Sequence, residues 1–165
     1  MGHFALTDVA DNTHRAFERF SRGAMRLAGA QATPLRVWLE DWELAGTGSD
    51  PFPLRVRARQ DDITVDLTLD TGKPVVLQGD QGLSQKSAEP GNASYYYSYT
   101  HLPTRGAVSL GGQTFTVGGA SWLDREWSTS ALGPEQNGWD WFALQLDDGR
   151  EVMFYRLRRK NGGVD

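Results

Sequence analysis

The strongest constraint in this chain is an alternation of period two that runs through residues 54–69. Leu54, Val56 and Ala58 interleave with Arg55, Arg57 and Arg59. After a short break, Ile63, Val65, Leu67 and Leu69 interleave with Asp62, Thr64, Asp66 and Thr68. A helix would scatter these apolar groups around its circumference, whereas a strand gathers them on one face. The segment is therefore predicted to be a half-buried antiparallel hairpin. A turn at Gln60-Asp61 sets Arg59 opposite Asp62, Arg55 opposite Asp66 and Val56 opposite Val65. Such cross-strand charge pairs are mildly stabilising.

The same logic extends along the chain. Gly111-Gly112 between Val108/Leu110 and Phe115/Val117 is a two-residue turn signal. Asp147-Asp148-Gly149 separates another pair, Trp139–Leu146 and Val152–Leu157. Phe4–Val9, Leu35–Leu44 and Ser94–His101 are dense in aromatic and β-branched residues and suit strands. Lys73–Asn92 is expected to be a long loop. One helix is expected over His14–Ala28, where Phe17, Phe20, Ala24, Leu27 and Ala28 recur at helical steps. The expected architecture is mainly β, an antiparallel barrel or sandwich of about eight to ten strands with one short helix.

Composition narrows the chemistry. The 165 residues fit one domain. With 17 basic and 21 acidic residues the net charge is −4, which argues against a general nucleic-acid binder. Cysteine is absent, so disulfides, thiolate metal sites and cysteine nucleophiles are excluded. Three histidines make a multi-histidine metal site unexpected, and the chemistry calls for no metal or cofactor. No apolar run approaches the ~18 residues of a membrane span, and no signal peptide is visible. What stands out is 6 Trp, 5 Tyr and 7 Phe alongside 19 Gly.

Three aromatic segments are candidate sites. In Ser121–Trp127, Trp122, Asp124 and Glu126 share one face of a strand, with Arg125 and Trp127 on the other. Asp124 and Glu126 lie about 7 Å apart along such a strand, close enough for like charge to raise one pKa and give an acid–base pair. The competing reading is an ion-pair cluster in which Arg125 or another arginine neutralises them. In Gly138–Phe142, Trp139 and Trp141 face one way and either floor a pocket or fill the core, with Asp140 on the opposite side. In Ser94–Tyr99, Tyr95, Tyr97 and Tyr99 share a face and either line a pocket or pack a strand.

Together, Ser84-Gln85-Lys86, Ala93–Ser98, Ser121–Trp127 and Gly138–Phe142 resemble the AttH-like and carotenoid 1,2-hydratase family of lipocalin-like proteins, as does His3–Asp8. The resemblance implies a calycin-type β-barrel over residues 1–165 with an apolar cavity, in a bacterial protein that is exported or periplasmic. It implies an isoprenoid or lipid-like ligand. It also implies cofactor-free hydratase or hydrolase chemistry, with Asp124 and Glu126 catalytic, Arg125 and Asp140 supporting, and the named Trp and Tyr residues binding ligand. Family members usually begin earlier, with a Glu-Trp-Trp-Tyr type strand, and continue into a second lipocalin-like domain. The chain is thus expected to be an incomplete barrel whose open edge pairs with another strand or with that domain. Where the hydratase branch has Asp-His-Asn-Trp, this chain has Asp124-Arg125-Glu126-Trp127. The alternatives are a non-catalytic carrier of apolar ligands and a carbohydrate-binding module.

Overall fold

The computed structural model describes residues 1–47, 51–87, 91–128 and 132–165. It is built almost wholly from strands, and every pair with a described register is antiparallel. The chain divides into two compact units, residues 1–71 with 103–119, and residues 72–102 with 120–165. Among the described residues there are 13 strands, more than the eight to ten expected, and no helix long and apolar enough to cross a membrane.

In the first unit, β1 (Gly2–Asp8) and β2 (Thr13–Arg19) form a hairpin where the helix over His14–Ala28 was expected. Phe17 lies opposite Phe4, their rings 5.9 Å apart, and Phe4 meets Trp42 edge-on at 5.8 Å. Those contacts outweigh a weak helical preference already diluted by Ser21 and Gly23. Phe20, on the proposed helical face, is exposed. The only helical turn described is a 3-10 turn at Ala24–Arg26.

Next come β3 (Ala28–Gln31), β4 (Arg36–Leu39), β5 (Trp42–Gly46), β6 (Leu54–Gln60) and β7 (Ile63–Leu69). The single strand expected over Leu35–Leu44 is two, turned at Glu40-Asp41, where Glu40 takes φ 58°. Leu39, Trp42, Leu54, Ile63 and Leu69 form the core of this unit.

The β6–β7 hairpin forms with the expected faces but a register two residues different. Arg57, not Arg55, lies opposite Asp66, and Val56 lies opposite Leu67. The turn is Asp61-Asp62, with Asp61 at φ 52°, a conformation Asp tolerates better than Gln. Arg55 still reaches Asp66 diagonally through two hydrogen bonds of 2.8 and 2.7 Å.

Two long strands serve both units: β10 (Ala93–Leu110) and β11 (Gln113–Trp127), joined at Gly111-Gly112. Both glycines have positive φ, 58° and 83°, as a primed hairpin turn requires. In the second unit the expected loop holds two short strands, β8 (Val76–Leu77) and β9 (Leu83–Gln85), paired with β10; its residues 88–90 lie outside the described set. The final hairpin, β12 (Gln136–Gln145) with β13 (Glu151–Arg159), forms as expected, with Gly149 at φ 81° in the turn.

Candidate functional site

The second unit owes its site to the alternation of β10. Ser94, Tyr96, Ser98, Thr100 and Leu102 are all buried, so the even-numbered side chains form the inner face. An inner face carrying this many hydroxyls demands partners, because buried polar groups are costly when left unsatisfied. The partners come from β11. Ser98 Oγ donates to Asp124 Oδ1 at 2.5 Å, and the Trp122 indole Nε1 donates to the same oxygen at 2.9 Å. The Tyr96 hydroxyl is near enough to feel the Asp124 charge, and accepts from Trp141 Nε1 at 3.2 Å. Burial, followed by the Asp124 charge, pushes the Tyr96 phenol up to about 12, so it keeps its proton at neutral pH. All described partners of Asp124 are therefore neutral donors, and the arginine clamp weighed from the sequence does not form.

Glu126 shares that face of β11 but has different company. Its Oε1 accepts from Ser94 Oγ at 2.5 Å and pairs with Lys86 Nζ at 2.6 Å. The Lys86 ammonium is nearly buried, 4.5 Å from the Tyr155 ring centroid and 5.5 Å from that of Tyr96. It also approaches Ser84 Oγ (3.1 Å) and Tyr155 OH (3.4 Å). The two carboxylates read from the sequence as one acid–base pair are thus differently provided for: Asp124 by hydroxyls and indoles, Glu126 by a lysine.

These groups border a cavity of about 240 Å³ lined by Lys86, Tyr96, Glu126, Trp127, Ser128, Trp139, Trp141, Tyr155 and Leu157. Trp139 and Trp141 stand on one side of β12, opposite Leu157 and Tyr155 of β13, and both line the cavity. Asp124 does not line it, whereas Tyr96, which feels the Asp124 charge, does. Trp122 belongs instead to a second hollow of about 430 Å³ with Lys73, Val76, Gln78, Glu151 and Met153. There Glu151 is buried and held by Lys73, with His101 Nδ1 at 3.3 Å.

Several expected ligand contacts fall elsewhere. Tyr95, Tyr97 and Tyr99 occupy the other face of β10. Tyr95 and Tyr97 pack on Trp127 at 5.8 and 6.0 Å, and Tyr97 meets Tyr99 edge-on. Tyr96, between them, is the tyrosine that lines the cavity. Arg125 is exposed, its guanidinium 5.9 Å from the Trp127 ring. Asp140 is clamped by Arg156 (2.7 Å) and Arg158 (2.8 Å), which hold its carboxyl below the usual range. Neither touches the cavity. The sequence reading missed Ser84, Ser94, Tyr96, Ser98 and Tyr155 as site residues, and had Lys86 only as part of a family string. Continuing the period-two count from the buried end of β10 would have found the even-numbered set. Among the described residues no group of three or more His, Asp or Glu side chains is placed to hold a metal ion.

Comparison with known proteins places the chain. It matches the AttH-like family over residues 1–165. A crystal structure described as a candidate AttH from Nitrosomonas europaea superposes with a TM-score of 0.89 at 34% identity, covering 98% of this chain and 50% of that one. The crystal structure of kievitone hydratase from Nectria haematococca superposes with a TM-score of 0.68 at 18% identity, covering 99% of this chain and 53% of that one, a likeness of fold. This chain therefore spans about half the length of the structures it matches. No match was found among curated proteins. The fold is lipocalin-like and mainly antiparallel β, and the chain belongs to the AttH-like family.

Proposed function

We propose that the cavity bordered by Tyr96, Trp139 and Trp141 binds an apolar, isoprenoid or lipid-like ligand, and that Asp124 and Glu126 add water to it or hydrolyse it without a cofactor. The observation that carries the reading is the setting of Asp124, a carboxyl group inside an aromatic wall whose described partners are all neutral. A carboxylate retained only for stability is more simply held by an arginine, as Asp66 and Asp140 are.

In this scheme Asp124, ionised at rest, takes up a proton from solvent. The protonated carboxyl then donates to the Tyr96 oxygen as the Tyr96 O–H passes its own proton to an alkene carbon or a leaving-group oxygen. Positive charge that develops on the ligand lies against the indole faces of Trp127, Trp139 and Trp141. Water attacks, and the carboxylate of Glu126, oriented by Ser94 and Lys86, takes its proton. Support from outside the chain is the family and the hydratase with which it shares a fold.

A carrier without catalysis is the second reading. It is favoured by one observation, the Lys86 ion pair that neutralises the carboxylate facing the cavity. The two separate in a single experiment with wild type and Asp124→Asn. Isoprenoid alkenes and aryl esters are incubated in heavy-oxygen water, and binding of all-trans-retinol is followed in parallel. The enzyme reading expects label uptake by wild type, lost in Asp124→Asn with retinol binding intact. Binding with no label uptake by wild type across the panel favours the carrier, and unchanged uptake in Asp124→Asn removes its role as acid.

A further inference from the structure

The polar end of the cavity leaves one hydroxyl proton without an acceptor among the described residues. Lys86 has three N–H donors, directed at Glu126, Ser84 and Tyr155. The Ser94 hydroxyl is spent on Glu126. Ser84 Oγ and Tyr155 OH lie 2.9 Å apart, so one hydroxyl donates to the other. Among the described residues the second hydroxyl proton has no acceptor. Ser84 is buried at 3% exposure, whereas Tyr155 is half-buried and lines the cavity. The arrangement that wastes least runs from Lys86 to Ser84, from Ser84 to Tyr155, and from Tyr155 O–H into the cavity.

We infer that Tyr155, backed by Ser84 and Lys86, is an oxygen-anchoring subsite. It takes a carbonyl oxygen carried by a ligand whose ring lies between Trp139, Trp141 and Leu157. The inference rests on the cavity being the ligand site, and adds to that reading the polar group that fixes the ligand's orientation. Three features favour a carbonyl oxygen. It accepts without donating, so it complements the unmatched hydroxyl proton. The Lys86 ammonium behind Tyr155 polarises the hydroxyl chain and so makes the Tyr155 O–H a stronger donor. The volume, about 240 Å³, suits one ring system with a short polar substituent or the ring end of a longer ligand. Glu126, as an acceptor on the other side of Lys86, repels a carboxylate placed there and so selects a neutral oxygen over an acid.

The test uses two probes of nearly equal size, acetylnaphthalene and ethylnaphthalene, which differ in the carbonyl oxygen. Their dissociation constants are measured by calorimetry or ligand-observed NMR on wild type, Tyr155→Phe and Lys86→Met. Wild type is expected to prefer the ketone by about tenfold, the factor one hydrogen bond supports. Tyr155→Phe keeps the ring and removes the hydroxyl, and is expected to bring the two probes to near parity with ethylnaphthalene binding unchanged. Lys86→Met is expected to weaken the preference in the same direction. If Lys86→Met unfolds because Glu126 loses its counter-charge, Tyr155→Phe decides alone. Equal affinity of wild type for both probes, or a ketone preference that survives in Tyr155→Phe, overturns the subsite while leaving the cavity as an apolar site. No saturable binding of either probe overturns both.

Discussion

Two regions of the molecule hold carboxylates on strands of similar alternation and treat them in opposite ways. On β6–β7, Asp66 faces Arg57 and is gripped by Arg55, in an exposed ladder that keeps its carboxyl below the usual range. On β10–β11, Asp124 is held by Ser98 and Trp122, with the Tyr96 phenol near enough to feel its charge. Residue type and strand period are the same, and the partners differ. The first arrangement serves the surface, where exposed ion pairs contribute little and salt weakens them. The second places an ionisable group among neutral donors near a cavity, where no described cation competes for its lone pairs.

The contrast can be broken most forcefully at the carboxylates themselves. Asp124→Asn is expected to cut turnover by about 10²- to 10⁴-fold, whereas Asp66→Asn and Asp140→Asn leave it within experimental scatter; initial rates on one labelled substrate compare all three. Next in size is Ser98→Ala. Its hydroxyl is fully buried and bridges Gln78 and Asp124, so its loss is expected to cost about 1–3 kcal/mol of stability. Chemical denaturation measures this, and Arg55→Ala in the exposed ladder is expected to show a smaller loss that disappears in high salt.

Alkaline pH sharpens the comparison further. Folding raises the Tyr96 pKa from 10.0 to about 12. The stability it contributes is therefore complete below pH 10, the unfolded value, and is lost as pH climbs toward about 12. Phenolate absorbance is expected to show one of the five tyrosines titrating late, and Tyr96→Phe should remove that component. Acid pH gives the smallest effect. Asp66 and Asp140 have lowered pKa values, so the stability they contribute is present above the ordinary carboxylate value of about 4 and fades below it. Thermal melts between neutral and acid pH, at low and high salt, are expected to show a shallow loss that salt suppresses.

Much of the fold was legible in the sequence because strand period and turn chemistry are local. The hairpins at Gly111-Gly112 and at Asp147–Gly149 rest on neighbouring residues and formed as expected. The β6–β7 register depended on which two residues make the turn, and Asp61-Asp62 prevailed over Gln60-Asp61 because Asp accepts positive φ. The helix expected over His14–Ala28 failed for a non-local reason, since Phe17 packs on Phe4 and Phe4 on Trp42. Within the site, Trp139, Trp141 and the shared face of Asp124 and Glu126 followed from alternation. Tyr96 was overlooked because three tyrosines on the other face formed a more conspicuous pattern. Lys86 was overlooked as a site residue because its partner Glu126 is 40 positions away (126 − 86) and no local spacing links them.

An apolar ligand received by the aromatic cavity of the second unit would lie against Trp139 and Trp141. Titration of tryptophan fluorescence with all-trans-retinol tests it most directly, using wild type and Trp141→Ala. Trp38 and Trp42 lie in the first unit and supply a constant background. Wild type is expected to show saturable quenching, and Trp141→Ala at least about tenfold weaker binding from loss of a large apolar wall. Quenching that never saturates, or that is identical in the two proteins, would contradict it.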